Sequence, residues 1–515
     1  MNRRNALKHI GAVGLLASSG MGLPLTNRTA SAQVDLNLRD SFSPDPAVYL
    51  SPPDPVHIIR RARGWKVLPN GDDDHDNLEW ALRNTEPGGE VRLVSGVYKV
   101  GRPIVVPDFD GTLAGAGASF TTMTCTDDFN YELWESLGSP GSPPPPFPRV
   151  SVNGSTMKTA PVLIQFYKTP LVPGEDPDAR ANRIEIRNLR CRSVMIGELW
   201  ALGDEVLCFN IVNSFDYNLP EAEQVTTRQD VEIVGVEVDG YRTSAFAPFD
   251  VACACITVVG TTILTDNYNL QGSQDGDALG FLNGGLLDVI PAEGNVTFRS
   301  CTFRNCRVGP GVVGYHDATI IFQNITTDHC RGNCLQLIDI GNSDIHVLDC
   351  DLFCDSFLLP PELAGGADDL PSSLGCVTAV QGMGAVLGYP HNVQWLALAS
   401  DPAAHQSPEA DPLGTWRPRG PAAKPQLSSL VIMDNSCRSS ETPNTYCFHL
   451  IDLANLGFAS PSLLARLQDN MCRDSQTCIS LEHVEGGQVF DNQCASQLFG
   501  IELYNSPFAD IRDNQ

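Results

Sequence analysis

The stretch Asp469–Gln515, DNMCRDSQTCISLEHVEGGQVFDNQCASQLFGIELYNSPFADIRDNQ, repeats itself at a fixed interval. An Asp-Asn pair begins at Asp469, Asp491 and Asp513, and both intervals are 22 residues. Between the pairs, apolar and polar residues alternate, which is typical of β-strands. The stretch therefore predicts short strands that return to the same position once per coil.

The middle of the chain carries the same repeat. The segments NVTFRSCTFRNC, TIIFQNITTDHC and SDIHVLDCDLFC end at Cys306, Cys330 and Cys354, which are 24 residues apart. Two sets of apolar residues align across them, Val296 with Ile320 and Ile345, and Phe298 with Phe322 and Val347. A period of about 20–25 residues without helical pattern predicts a parallel β-helix. The leucine signature of a leucine-rich repeat is absent, and a β-propeller needs longer blades.

Stacked coils bring equivalent residues about 4.8 Å apart. The asparagines of the repeat are then expected to form a ladder of amide-to-amide hydrogen bonds inside a turn. These asparagines are Asn435, Asn470, Asn492 and Asn514. Turn chemistry accounts for the Asp-Asn pairs, so we favour it over metal binding there.

The N-terminal part predicts a helix that covers the first coil. In GDDDHDNLEWALRNTEPGG, Asp76 is expected to cap a helix from about Asn77 to Asn84. Its apolar face carries Leu78, Ala81 and Leu82. Such a helix would protect the strand edge that an open first coil exposes.

The order of these N-terminal pieces resembles pectate-lyase-like right-handed β-helix proteins. The matching pieces are the acidic turn 71–74, the helix, the Gly-x-Tyr strand 96–98 and the Leu-x-Gly-x-Gly turn 113–117. The resemblance implies an all-β, single-stranded right-handed parallel β-helix, or solenoid, with a short N-terminal capping helix and long loop insertions. It also implies that substrate lies along the groove of an outer sheet.

Residues 1–32 are interpreted as a removed signal peptide. Arg3 and Arg4 precede Leu7-Lys8, as in a twin-arginine signal, although Ala6 replaces the usual Phe. An apolar run and an Ala30-x-Ala32 cleavage site follow. A periplasmic or secreted location is therefore expected. No apolar run reaches the length of a membrane-spanning helix, so we expect no transmembrane anchor.

The remaining chain divides into an N-terminal arm, 33–70, and the β-helix, 71–515. The repeat is interrupted near 127–160, 260–292 and 357–428, where loop insertions are expected. Insertions in solenoids often surround the binding face. Trp395 and Trp416 in the third insertion are candidate sugar-stacking residues, or else they anchor the loop to the coil.

The net charge of −27 makes nucleic acid an unfavourable partner. It would also repel a polyanionic sugar unless a bound cation or local basic residues reverse the sign. The partner expected from the resemblance is a polysaccharide, anionic or neutral, bound by a monomer. Ca²⁺ is the cofactor that the acidic turns leave open, because it can neutralise a uronate carboxylate.

Aligning outward strand positions predicts two polar columns. The first contains Gln336, His449, Ser480 and Glu502, with Gln336 assigned to substrate binding. The second, at the strand ends, contains Asp339, Asp452, His483 and Asn505, and counting back one coil adds Tyr315 beside His316. Carboxylates, imidazoles and a phenol are the groups that proton transfer at a sugar requires. Outward positions of a β-helix must be polar in any case, so the columns are hypotheses for a site.

The sharper catalytic motifs of pectin-hydrolysing members, Asn-Thr-Asp and Gly-His-Gly, are absent, as is the Asp-Pro-His of alginate epimerases. No catalytic residue can therefore be carried over from those enzymes. The seventeen cysteines leave three interpretations open, namely stacked buried thiols, disulfides between coils, or a metal site.

The leading hypothesis is an exported β-helix protein acting on polysaccharide as a lyase, hydrolase or epimerase. The alternative is a non-catalytic envelope or surface protein that binds glycan or protein through its insertions. A third hypothesis is a periplasmic factor for the assembly of a metalloenzyme, a role that some β-helix proteins resemble.

Overall fold

Three long sheets wind together into a parallel β-helix. The computed structural model describes residues 52–129, 149–152, 156–159, 162–168, 174–176, 178–192, 207–212, 228–241, 249–252, 255–265, 277–282, 295–304, 308–313, 318–328, 330, 334–338, 343–354, 374–380, 429–439, 445–451, 464–482, 484, 486–504, 506 and 508–515. In each complete coil the chain passes through sheets A, B and C in turn and then returns to sheet A. The predicted all-β parallel β-helix is confirmed by this strand order.

The strands of each sheet, in spatial order, have the following bounds. Sheet A contains β1 (Ile58–Arg60), β2 (Trp65–Val67), β3 (Gly89–Leu93), β6 (Gly111–Ala114), β11 (Asn182–Arg187), β14 (Gln229–Val234), β17 (Cys255–Val259), β20 (Val296–Arg299), β23 (Thr319–Gln323), β26 (Asp344–Leu348), β29 (Ser429–Met433), β32 (Leu464–Gln468), β35 (Gln488–Phe490) and β38 (Asp510–Arg512). Sheet B contains β4 (Gly96–Val100), β7 (Thr121–Cys125), β12 (Arg190–Arg192), β15 (Glu237–Tyr241), β18 (Thr262–Thr265), β21 (Thr302–Arg304), β24 (Thr326–Asp328), β27 (Asp351–Cys354), β30 (Ser436–Ser439), β33 (Met471–Arg473) and β36 (Gln493–Ala495). Sheet C contains β5 (Ile104–Pro107), β10 (Val162–Tyr167), β13 (Leu207–Val212), β16 (Phe249–Ala252), β19 (Asp277–Leu282), β22 (Val308–Val313), β25 (Leu335–Ile338), β28 (Leu374–Val380), β31 (Thr445–Ile451), β34 (Thr477–Glu482) and β37 (Phe499–Tyr504).

Two antiparallel pairs depart from this parallel scheme in the described residues. β1 pairs with β2 at the start of sheet A. A separate hairpin, β8 (Arg149–Val152) and β9 (Thr156–Thr159), lies within the predicted insertion 127–160. A single 3₁₀ turn spans Asp178–Arg180.

A very short turn joins sheet A to sheet B in successive coils. Its key residue adopts the left-handed conformation, with φ between 54° and 59°. The residues at this position are Asn188, Gly235, Gly260, Ser300, Asn324, Asp349, Asp434, Asp469, Asp491 and Asp513. Glycine, asparagine and aspartate tolerate this conformation best, which explains why the Asp-Asn pairs recur.

The predicted asparagine ladder is confirmed at the next position of this turn. Side-chain Nδ2 of Asn435 donates to Oδ1 of Asn470, Asn470 donates to Asn492, and Asn492 donates to Asn514, each at 2.9 Å. The first three asparagines are buried. In earlier coils the residue after the left-handed position is Cys301, Ile325 or Cys350, and these side chains are buried. The same turn position is therefore filled by apolar side chains in those coils and by the asparagine ladder in the later ones.

The apolar core fills the space between the sheets. Val296, Ile320 and Ile345 are in register in sheet A, as the sequence predicts. The rings of Phe298 and Phe322 stack with centroids 5.1 Å apart, and both side chains are fully buried. Side chains one coil apart thus pack directly on one another, as the repeat requires.

The capping helix α1 (His75–Arg83) begins two residues earlier than the sequence prediction. Asp74, rather than Asp76, is its N-cap residue and makes no side-chain capping bond. The Asp74 carboxylate instead accepts the backbone N–H groups of Asn70 and Lys99, at 2.8 and 3.0 Å. These bonds fix the start of the helix from outside it. The predicted apolar face is confirmed, since its leucines and alanine are buried.

Two of the predicted insertions contain coil strands. β18 and β19 lie within 260–292, and β28 lies within 357–428. These strands are only four to seven residues long and are each followed in the sequence by a long segment, so the repeat could not be recognised there. The backbones of Cys330 and Cys354 form an isolated parallel β-bridge, so these two residues lie side by side on neighbouring coils as the repeat predicts. Cys306 lies outside the described residues. Among the described helices, none is long and apolar enough to cross a bilayer.

Candidate functional site

One register position of sheet C forms a continuous column across the strands. Backbone register connects ten strands at one position, and we call these residues the sheet C column. They are Gln165, Asn210, Asp250, Gly280, Gly311, Gln336, Thr378, His449, Ser480 and Glu502. With strands about 4.8 Å apart, the column is about 43 Å long. It is a linear polar track that crosses the strands at right angles.

The column is partly shielded from solvent. Gln165 is fully buried, and His449 and Ser480 are each only 5% exposed. Neither the amide nitrogen nor the amide oxygen of Gln165 has a hydrogen-bond partner within the described part of the chain. Gln229 on sheet A is unpaired in the same way, so the unpaired amide of Gln165 does not by itself indicate a ligand site.

His449 is the most unusual residue of the column. Its ring stacks on the ring of Tyr446, with centroids 4.3 Å apart and an angle of 19°. Its Nε2 lies 3.7 Å from Oε2 of Glu482, and no described group is bonded to its Nδ1. Burial lowers the pKa of the imidazole to about 4. The ring is therefore neutral at pH 7, and its contact with Glu482 is not an ion pair there.

One carboxylate, Glu482, lies beside this imidazole, and a second, Glu502, lies two strands away in the column. Glu482 is two residues beyond Ser480 on the same face of β34, and its side chain is 38% exposed. Glu502 is next to Ser480 in the register, on β37. Burial raises the pKa of the Tyr446 phenol, and the charges of Glu502 and Glu482 raise it further. Tyr446 thus stays protonated and can donate a hydrogen bond at neutral pH.

Exposed aromatic rings border the site. Phe499 is the backbone partner of Thr477 on the next strand, and Thr477 is in turn the partner of Tyr446. Tyr504 is the backbone partner of Glu482. Their side chains are 51% and 57% exposed. Aromatic rings next to polar groups are suited to contact with the apolar faces of sugars.

The structure brings three of the predicted site residues, Gln336, His449 and Glu502, into one column, with Thr378 between the first two. Their role in a site stays a prediction. Seven predicted residues lie outside the described residues, namely Tyr315, His316, Asp339, Trp395, Trp416, Asp452 and His483. By sequence, three of them directly follow the last residues of β25, β31 and β34.

Sequence reasoning missed Tyr446, Glu482 and the first half of the column. Tyr446 is three residues before His449 and would face the opposite side of a regular strand. However, Cys447 and Phe448 are both fully buried, so the alternation is broken between them. Glu482 could have been found by alternation, because it is two residues after Ser480 on the same strand and therefore faces the same side of the sheet.

Potential metal ligands are grouped at a different place. Sulfur atoms of Cys472, Cys478 and Cys494 lie within 4.8 Å of one another, the sole such trio of cysteine, histidine or acidic residues in the described part of the chain. Three soft sulfur donors do not suit Ca²⁺, which takes oxygen ligands. The calcium ion therefore stays a prediction.

Strand order and register define this chain as a parallel β-helix protein. Among solved structures, it is similar to the A-module of mannuronan C-5 epimerase AlgE6 from Azotobacter vinelandii, at 11% identity over 87% of this chain and 96% of that one, with a TM-score of 0.33. It is also similar to PfbA, a surface adhesin of Streptococcus pneumoniae, at 10% identity over 86% and 90%, with a TM-score of 0.36. Polygalacturonase from Erwinia carotovora matches at 10% identity over 86% and 93%, with a TM-score of 0.31.

No protein-family model matches the chain, and no curated protein does. Similarities at these identities and TM-scores do not extend to substrate or activity.

Proposed function

We propose that this protein is exported and acts on a polysaccharide bound along the sheet C column. The observation that carries the proposal is the buried, neutral His449, which is stacked on Tyr446 and lies beside Glu482 on an outward face. An outward imidazole with an unbonded Nδ1 is costly without a ligand, because buried polar groups are normally paired.

The chemistry that fits these groups is proton transfer at a sugar. A neutral imidazole can accept a proton, and a protonated phenol can donate one. Glu482, whose Oε2 lies 3.7 Å from Nε2 of His449, is the carboxylate placed to stabilise positive charge that develops on the imidazole. Lyase, hydrolase and epimerase reactions all require such an acid and base pair.

The shape of the face supports a polymer as ligand. The column extends over ten strands, and its centre contains Gly280 and Gly311, where a chain can approach the backbone closely. The long segments 355–373 and 381–428 enter and leave β28, which is itself a sheet C strand.

Charge indicates which polymers to test first. At a net charge of −27, a neutral glycan is the simplest partner, whereas a uronate polymer would need a cation such as Ca²⁺. The twin-arginine-like segment 1–32 supports export to the periplasm or medium, where such polymers occur.

The test is product release from neutral and uronate glycans, with and without Ca²⁺, by the native chain and by His449→Gln and Glu482→Gln. His346→Gln is the matched control, because His346 lies on sheet A, away from the column. We expect the first two variants to lose at least about 100-fold in kcat/KM, as is typical for loss of an acid or base, while the control retains activity. Equal activity of all three variants would refute the assignment.

Exposed Phe499 and Tyr504 favour a second candidate, a non-catalytic glycan-binding protein. Glycan retention without turnover, lost in Tyr504→Ala but kept in His449→Gln, would establish it. Deleting 357–428 is not a clean test, because the deletion removes β28. Replacing 381–428 by a flexible linker keeps that strand, and loss of retention in this variant would assign binding to the segment.

A further inference from the structure

Three cysteines from two sheets converge at the corner between sheets B and C. We call Cys472 on β33, Cys478 on β34 and Cys494 on β36 the thiol cluster. Their sulfur atoms are mutually within 4.8 Å, the first two side chains are buried, and Cys494 is partly exposed. All three are free thiols. The cluster is on a different sheet corner from His449 and plays no part in the proposed reaction.

The backbone holds the cluster in place. Cys472 and Cys494 are direct register partners, 22 residues apart, so they occupy equivalent positions on consecutive coils. Cys478 follows Cys472 around the corner, where Asp474 adopts a left-handed conformation with φ of 60°. The N–H of Asp474 donates to the carbonyl of Ala495 at 3.1 Å, which ties this corner to the next coil. The sulfur atoms are thus brought together by regular coil geometry.

Packing alone explains small side chains at this corner but does not explain three sulfur atoms. The first inward position of sheet C is Gly309 in one coil and Gly500 in another, and a Cβ at Gly309 would lie 1.8 Å from the carbonyl oxygen of Cys334. Where the corner has room for a Cβ, as at Cys478, alanine or serine would be small enough to pack there too. Elsewhere in the core, Cys301 and Cys350 are isolated thiols that donate to backbone carbonyls at 3.3 and 3.2 Å. Other thiols also contact one another, such as Cys334 and Cys376, but the thiol cluster is the sole trio of metal-ligand side chains in the described part of the chain whose sulfur atoms are all within 4.8 Å of one another.

We propose that the thiol cluster binds a soft, thiophilic cation of the Cu(I) type. Thiolates select soft ions, and a trio of sulfur donors without nitrogen or oxygen is poorly suited to Ca²⁺, Mg²⁺ or Mn²⁺. The three thiols release their protons to solvent when the ion binds. The partly exposed Cys494 provides the side from which the ion enters.

Nearby groups support three-coordinate binding. Oγ of Ser475 donates to the sulfur of Cys478 at 3.8 Å and accepts from the sulfur of Cys447 at 3.6 Å. Ser475 is fully buried, so it can orient both thiols. Cys447 is a fourth sulfur nearby, but it is not within the mutually close trio. Zn²⁺, which prefers four tetrahedral ligands, would have to recruit Cys447.

The test uses the full chain, reduced under nitrogen and titrated with Cu(I) in the presence of a chromogenic Cu(I) chelator. We expect one Cu(I) per chain to be retained, a first shell of sulfur atoms alone by X-ray absorption, and a rise in Tm with the metal bound. Zn²⁺ and Ca²⁺ are titrated in parallel. Binding of Zn²⁺ in preference to Cu(I), or no retained metal, would overturn the proposal.

Variants separate a ligand role from a packing role. Cys494→Ser and Cys478→Ser should weaken Cu(I) binding by more than about a hundredfold, the upper end for loss of a merely supporting residue. Cys350→Ala, a buried thiol outside the cluster, should bind Cu(I) as the native chain does. Far-UV circular dichroism establishes that each variant is folded, and Cys494→Ser is the safest because that side chain is partly exposed. Undiminished binding by folded Cys494→Ser would overturn the assignment.

Discussion

Replacing Asn470 with alanine tests whether the asparagine ladder stabilises the coils. The Asn470 amide makes four hydrogen bonds in the buried turn. Its Nδ2 donates to the carbonyl of Ile432 at 3.0 Å and to Oδ1 of Asn492 at 2.9 Å. Its Oδ1 accepts the backbone N–H of Asn435 at 3.1 Å and Nδ2 of Asn435 at 2.9 Å. Alanine removes all four bonds at once.

The expected cost follows from which groups lose their partners. Nδ2 of Asn435 keeps its bond to Val347, and Oδ1 of Asn492 keeps the backbone N–H of residue 470. The N–H of Asn435 and the carbonyl of Ile432 lose the Asn470 side chain inside the protein. At about 1 kcal/mol for each of the four lost bonds, the free energy of unfolding should fall by about 4 kcal/mol. This is roughly a thousandfold in the unfolding equilibrium constant.

Guanidinium unfolding and amide hydrogen exchange measure this loss. Exchange should accelerate most in β29, β30, β32 and β33, the strands on either side of the turn, because solenoid coils stabilise mainly their neighbours. Asn514→Ala is the matched control. The Asn514 side chain accepts two equivalent bonds from Asn492 but is only partly buried, so water can replace it at a cost of about 1 kcal/mol. A loss below 1 kcal/mol in Asn470→Ala, or equal losses in both variants, would refute the reasoning.

Three further predictions concern the core, the turn and the imidazole. Phe322→Ala should lower the free energy of unfolding by about 3–5 kcal/mol, because it empties a fully buried site stacked on Phe298; a loss under 1 kcal/mol in denaturant unfolding would contradict this. Ser300→Asn should raise stability by about 0.5–1 kcal/mol, because asparagine tolerates the left-handed φ of 54° better, and an unchanged Tm would count against it. The folded-state pKa of His449 is lowered from 6.5 to about 4, so the unfolded chain binds more protons between these values. The neutral imidazole therefore makes its full contribution to the free energy of unfolding above pH 6.5. That contribution, about 3 kcal/mol, is lost as the pH falls towards 4. His449→Phe should flatten the dependence of unfolding free energy on pH in that window, and a slope equal to that of the native chain would disprove the cause.

The sequence was sufficient for the fold because each coil repeats a local rule. Asp469, Asp491 and Asp513 have the left-handed conformation that their residue type favours, and their spacing equals the length of a coil. Asn470 then falls in the ladder without any long-range information. The coil with Ser300 at the same position was recognised from its apolar pattern instead, and the coil with Gly235 follows the same geometry without the Asp-Asn pair.

The candidate site was predicted only in part, because its geometry depends on departures from the repeat. His449 and Glu502 could be aligned by counting outward positions, and register agrees with that alignment. Tyr446 reaches the face of His449 only through two consecutive buried residues, which alternation does not predict. The start of α1 was misplaced for a similar reason, since Asp74 is held by the distant Lys99.

The left-handed turn between sheets A and B also determines where this architecture can vary. Successive coils from Asn188 to Asp513 cross that corner with a single left-handed residue, whereas the long segments around β28 leave and rejoin at the other two corners. From Asn188 onward the corner between sheets A and B therefore keeps one short turn, whereas the other two corners accept connecting segments of very different length. A designer could exchange the segment 381–428 for a foreign recognition loop and keep the underlying scaffold. One residue added after Asp349, in contrast, would disrupt the left-handed turn and the register between β26 and β27 and their neighbours.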